Sequence, residues 1–143
     1  MTIAGLDSTA PAAMPPPRSL AIGIGCRRDC PGEAIASLVL QALAALPPHI
    51  PRALFTIAAK LGQAGPRDAA GLLGLALYHL PRDSLAAAMP RVQTRSARAL
   101  DLFGVASVAE ASALAGAGAG GRLIVPRIAR DGATCAIAGD FAA

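Results

Sequence analysis

The chain has no tryptophan, one tyrosine, three phenylalanines and a single lysine, Lys60, among its 143 residues. So few aromatic side chains leave no stacking platform of the kind that holds single-stranded nucleic acid. The net charge of +4 rests on twelve arginines and that lysine, scattered rather than clustered, so the basic balance does not mark a nucleic-acid partner. Long apolar runs are missing as well. Between Glu33 and Arg52 the uncharged stretch is broken by Pro47 and Pro48. The helix-forming part, Ala34 to Leu46, is shorter than the roughly 20 residues a membrane span requires. The first ten residues carry neither a basic region nor a sustained apolar stretch, so no secretory signal is expected. A cytoplasmic protein with reduced thiols is the expectation for Cys26, Cys30 and Cys135.

Several chemical signatures are also absent. Cys26 and Cys30 are spaced C-x-x-x-C with no histidine beside them, which is neither a zinc-ribbon nor a thioredoxin-like spacing, and no metal or cofactor is expected. No P-loop occurs. Gly23-x-Gly25 lacks the third glycine of a dinucleotide fingerprint, since position 28 is Arg28, and Ala44, Ala45 and Leu46 stand where its acidic residue would fall. His49 and His79 have no paired aspartate or nucleophile nearby in sequence, so no catalytic triad can be assembled.

What is present is a sequence of short elements. Residues 1–18, rich in Thr, Ala and Pro, read as a disordered arm, and 19–143 as one α/β domain. Ser19 to Gly25 is an apolar strand that runs into Cys26-Arg27-Arg28. A helix over Ala34 to Ala45 and a second strand over Ala53 to Ala58, followed by Lys60, come next. A helix then carries Ala69 to Leu77, a short strand lies at Tyr78 to Pro81, and Asp83 or Ser84 can cap a brief helix through Ala88. Arg95 to Leu102 is a short helix closed by Gly104, and Ser107 with Glu110 forms a capping-box pattern for a helix to Leu114. Residues 115–121 read as a mobile glycine loop. Two strands, Arg122 to Pro126 and Ala133 to Ala138, close the chain across the polar connection 127–132. The order predicts a three-layer α/β sandwich with a mainly parallel sheet and a C-terminal antiparallel strand pair.

In such a fold Arg27, Arg28 and Lys60 fall at the carboxyl edge of the sheet, where open α/β folds bind ligands. Guanidinium forks there suit carboxylates or phosphates. Lys60 reads either as an ordinary solvated charge or as a proton-transfer group beside the arginines. Glu110 reads either as a structural cap or as a base facing the cleft.

Gly23-Ile24-Gly25-Cys26-Arg27-Arg28, the strand ending near Lys60, the run from Gly104 to Leu114, the glycine loop and Leu123-Ile124-Val125-Pro126 together resemble the cobalamin-biosynthesis CobE family. The same module forms the C-terminal domain of CbiG-type cobalt-precorrin hydrolases. The resemblance covers about 20–138 and implies a role in building the corrin ring of vitamin B12, here as the stand-alone form of the aerobic route. The fused anaerobic enzymes open a ring lactone and release acetaldehyde, and no reaction is implied for the stand-alone form. Where relatives commonly carry a lysine after the Leu-Ile-Val strand, this chain has Arg127, and Leu61-Gly62-Gln63 replaces the acidic residues that often follow Lys60.

The expected ligand is therefore a polycarboxylate tetrapyrrole or corrinoid intermediate, clamped by Arg27, Arg28, Lys60 and Arg127. Gly23, Gly25, Cys26, Ser107, Gly118 and Gly120 would complete the site, and Lys60 and Glu110 are the candidate catalytic groups. Three functions stay open: a carrier or protector of that intermediate, a pathway enzyme using Lys60 or Glu110, and a docking module for another cobalamin-pathway enzyme that binds no small molecule. Neither nucleic acid nor a membrane is an expected partner, and a homodimer is left open.

Overall fold

Side chains alternate in size along Ser19–Cys26 (β1). Leu20, Ile22 and Ile24 point to one face of the sheet, and Ala21, Gly23 and Gly25 to the other. This alternation decides which helix lies on which face in the computed structural model, which describes residues 16–141. The chain continues through α1 (Gly32–Leu43), β2 (Arg52–Ile57), a 3-10 turn (Ala58–Lys60), α2 (Ala64–Leu73), β3 (Leu77–Leu80) and α3 (Arg82–Ala87). A second 3-10 turn (Met89–Arg91), α4 (Ala97–Phe103), α5 (Val108–Ala117), β4 (Gly121–Arg130) and β5 (Ala133–Asp140) follow.

The five strands form one sheet in the order β3-β2-β1-β5-β4. β1, β2 and β3 are parallel, while β5 runs antiparallel to both β1 and β4. The large side chains of β1 and β5 meet α1 and α2, and the small ones (Ala21, Ala136, Ala138) meet α5. The expected three-layer α/β arrangement with an antiparallel C-terminal pair is what the chain adopts.

Some boundaries differ from the sequence reading, each for a physical reason. α2 stops at Leu73 because Gly74 takes the left-handed conformation (φ +67°) that ends helices, which frees Leu77 for β3. Pro81, not Asp83 or Ser84, occupies the N-cap of α3, and no side chain caps it. α5 runs on to Ala117, so the expected loop shrinks to Gly118–Gly120. β4 passes through Pro126 to Arg130, with register irregularities between Leu123 and Ile128. Proline is tolerated there because β4 is an edge strand and a bulge requires no ladder N–H. The hairpin turn is then only Asp131-Gly132, both at positive φ, the geometry of a tight two-residue turn. The N-terminal arm expected for residues 1–18 lies, apart from 16–18, outside the described residues. Among the described residues no single helix is long and apolar enough to cross a membrane.

Candidate functional site

Beyond the carboxyl ends of β1 and β2 the sheet opens into a cavity of about 740 Å³. Arg27 and Arg28 enter it from the end of β1, Lys60 from the turn after β2, and Arg127 and Arg130 from β4. Arg98 enters from α4, and Ala99, Leu102 and Phe103 of that helix form an apolar wall. Gly25, Thr134 and the N-terminal residues Ser107 and Val108 of α5 complete the lining. Six cationic side chains thus face one carboxylate, Asp131. Elsewhere the sequence holds seven basic and eight acidic residues, so the excess charge of the chain is gathered in this cavity.

The arginine at the end of β1 is placed by backbone. The Arg27 N–H donates to the Gly132 carbonyl at 2.9 Å, and the Arg27 side chain crosses the bare face of Gly132. Arg130 is tethered from the other side by Gln41 and by Ser37 Oγ at 2.8 Å. Its Nε lies 3.7 Å from Asp131 in an exposed pair that contributes little. The guanidinium groups of Arg27, Arg28, Arg98 and Arg127 have no hydrogen-bond acceptor among the described residues.

Lys60 is almost fully buried, at 4 % exposure, yet no carboxylate among the described residues pairs with it. Its Nζ donates to the Cys26 carbonyl, tying the end of β2 to the end of β1, and lies 5.0 Å from the centre of the Phe103 ring. Burial pushes the Lys60 pKa below its ordinary value, with Arg98 and Arg28 adding to the effect. Below the folded pKa of this group the native state bears the burial penalty. Between the folded and unfolded values the unfolded chain binds more protons, so stability rises with pH across that window. Lys60 should therefore contribute a gain in stability as pH rises toward about 10.4, opposed above about pH 8.5 by the buried thiols, whose pKa values are raised. Lys60→Met should lack that rise in denaturant titrations taken at a series of pH values.

Cys26 lines the same cavity, and its Sγ donates to Gln63 Oε1 at 3.8 Å. Burial raises its pKa, only partly offset by Lys60, so the thiol stays protonated at neutral pH. Among the described residues no group of three or more His, Cys, Asp or Glu side chains is arranged to hold a metal ion.

Glu110, considered above as a base facing the cleft, is instead a buried clasp outside the cavity lining. Its side chain is 0 % exposed. Oε1 accepts from the N–H groups of Gln93 and Thr94, both at 2.7 Å. Oε2 accepts from Thr94 Oγ1 at 2.8 Å and from the Arg127 N–H at 2.9 Å. Of the capping box only one half forms, the Glu110 N–H donating to Ser107 Oγ at 3.2 Å. The carboxylate turns away to fasten the segment leading to α4 and the bulge that delivers Arg127. Burial alone would raise its pKa, but the hydrogen bonds, led by that from Arg127, outweigh it and hold the carboxyl below its usual value. Its stabilisation is complete above the unfolded pKa of about 4.3 and is lost as pH falls through the lower folded value. Glu110→Gln should cost about 2–4 kcal/mol at neutral pH. In denaturant titrations that variant should lose part of the acid dependence shown by the wild type.

The remaining expected site residues are divided. Gly25 and Ser107 line the cavity. Gly23 does not; it faces α5, where a Cβ would lie 1.8 Å from the Ala109 carbonyl oxygen. Gly118 and Gly120 lie at the opposite end of the sheet. Gly121 pairs with Asp140, and Asp140 pairs with Ser19 at the start of β1, about 26 Å from Arg27 along the strand. They cannot cover a ligand held by the arginines, and the Gly118 and Gly121 carbonyls instead accept from Arg91. Conversely, Arg98, Arg130, Phe103 and Thr134 were not anticipated. Arg130 could have been found from the Asp131-Gly132 turn signal, which extends β4 to it; Arg98 carries no local signal.

The comparisons with known proteins agree with one another. The family model for the cobalamin synthesis G C-terminus (CbiG_C) matches residues 20–138. Among solved structures, CobE, a protein from the cobalamin (vitamin B12) biosynthetic pathway, is 35% identical with a TM-score of 0.79, the match spanning 90% of this chain and 96% of that one. The cobalamin biosynthesis protein chiG from Agrobacterium tumefaciens strain C58 is 38% identical with a TM-score of 0.65, over 84% of this chain and 97% of that one. The comparison with curated proteins gives no match. With the family match reaching all five strands and every element around the cationic cavity, this chain belongs to the cobalamin synthesis G C-terminus family and is a cobalamin-biosynthesis pathway protein.

Proposed function

We propose that the cavity binds a polycarboxylate intermediate of the corrin-ring stage, a precorrin or its corrinoid product, and that the protein carries or protects it in the cytoplasm along the aerobic route. The observation that carries this reading is the gathering of six cationic side chains beside an apolar wall on one cavity. A corrin precursor presents the complement, an apolar macrocycle fringed by acetate and propionate groups. The volume lies within the roughly 300–1,000 Å³ usual for ligand sites. A charge-assisted hydrogen bond contributes about 1.5–3 kcal/mol, so a few of them with one buried ring face are enough for micromolar binding after association costs.

Lys60 favours a second reading, in which the ligand is also processed. A buried ammonium with a lowered pKa at the cavity surface is suited to moving a proton, whereas Glu110 is committed to its clasp. Incubating the purified protein with successive corrin intermediates distinguishes these possibilities. A stoichiometric band shift without further change supports the carrier. A new absorption spectrum with turnover, lost in Lys60→Met, supports processing. No spectral change with any intermediate contradicts both and leaves docking onto another pathway enzyme as the remaining function.

A further inference from the structure

We infer that the cavity selects its ligand by the charge state of the side-chain carboxylates, accepting the free acid and rejecting the same ring once those groups are capped as amides. This rests on the corrinoid reading above and adds a place in the reaction order. The side chains that would meet the ligand's periphery are donors without partners. Arg27, Arg28, Arg98 and Arg127 have no acceptor among the described residues, and Lys60 has only the Cys26 carbonyl and the Phe103 ring. Arginine and lysine donate and never accept. Two of the side-chain acceptors nearby are already engaged, Gln63 Oε1 by Cys26 and Ser107 Oγ by the Glu110 N–H. Asp131 is the sole carboxylate of the lining, set against six cations, and it lies 3.7 Å from Arg130 Nε.

A free carboxylate answers this surface twice, supplying negative charge and up to four lone-pair sites. An amide fails twice. It brings no charge to a cluster of like charges, and its NH₂ group meets a surface of guanidinium donors with a single carboxylate, Asp131, among them. Specificity of this kind comes from the unmatched group in the wrong ligand as much as from contacts with the right one. Any reaction class that neutralises the ring's carboxylates, amide formation above all, therefore acts after this protein has released its ligand.

The test compares two corrinoids of one ring system, dicyanocobyrinic acid with free carboxylates and dicyanocobinamide with amides, in equilibrium titrations of the full chain. Two lost charge-assisted contacts, each worth about tenfold, set the expected preference for the acid at about 100-fold or more. Added salt should weaken the acid and leave the amide unchanged. Arg27→Ala/Arg28→Ala should narrow the gap with the melting transition in place. Equal affinity, or tighter binding of the amide, overturns the charge-state inference and leaves corrinoid binding standing. Failure of both to bind overturns the corrinoid reading itself.

Discussion

Gly23→Ala should be the most damaging single-methyl change in the protein. A Cβ at this position would lie 1.8 Å from the Ala109 carbonyl oxygen and 2.6 Å from the Ala113 nitrogen, both backbone atoms of α5. No rotamer change relieves that contact, so α5 must lift from β1. Overpacking ordinarily costs about 1–3 kcal/mol, and an obstacle made of backbone belongs at or beyond the upper end. Lifting α5 also moves Ser107 and Val108 away from the cavity and strains the Glu110 clasp. Gly71 supplies the control, because nothing lies within 4 Å of a Cβ there and it sits inside α2. Gly71→Ala should therefore stabilise by about 0.5–1 kcal/mol. Urea titrations of both variants check the pair, and a Gly23→Ala protein as stable as wild type would refute the tight seating of α5 on β1.

Arg27→Ala/Arg28→Ala should weaken binding of a corrin polycarboxylate by about two orders of magnitude while leaving the fold intact. Both side chains are exposed and neither has an acceptor among the described residues, so their removal withdraws no side-chain hydrogen bond from the fold and only the contact of Arg27 with Gly132. Relieving repulsion within the cationic cluster should leave the melting temperature unchanged or slightly higher. Binding should fall by about 100-fold, two charge-assisted contacts at about tenfold each. Titration followed by absorbance and a thermal melt, made on the same preparation, separate loss of ligand from loss of fold.

Much of this was legible in the chain, and the exceptions are instructive. The order of elements follows from apolar runs punctuated by Pro and Gly. The position of Arg27, Arg28 and Lys60 at one sheet edge follows from two neighbouring parallel strands ending in cations. The alternation Leu20-Ala21-Ile22-Gly23-Ile24-Gly25 was on view too, but read as uniformly apolar it hides that one face is shaped to admit a helix. The same requirement explains Gly116, where a Cβ would lie 2.6 Å from the Phe55 ring, so a glycine that resembles part of a loop is a helix-packing residue. Glu110 could not be assigned locally, because Gln93, Thr94 and Arg127 reach it from separate segments and only the folded chain brings them together. Pro126 misled for the opposite reason, being a local stop signal that an edge strand can ignore.

The most direct test is the absorption spectrum of this protein purified from cells that produce the whole series of corrin intermediates. A tetrapyrrole chromophore should accompany the wild-type chain in near-stoichiometric amount and be missing from Arg27→Ala/Arg28→Ala purified in the same way. A colourless wild-type protein, or a variant equally coloured, would contradict the claim that this cationic cavity holds the macrocycle.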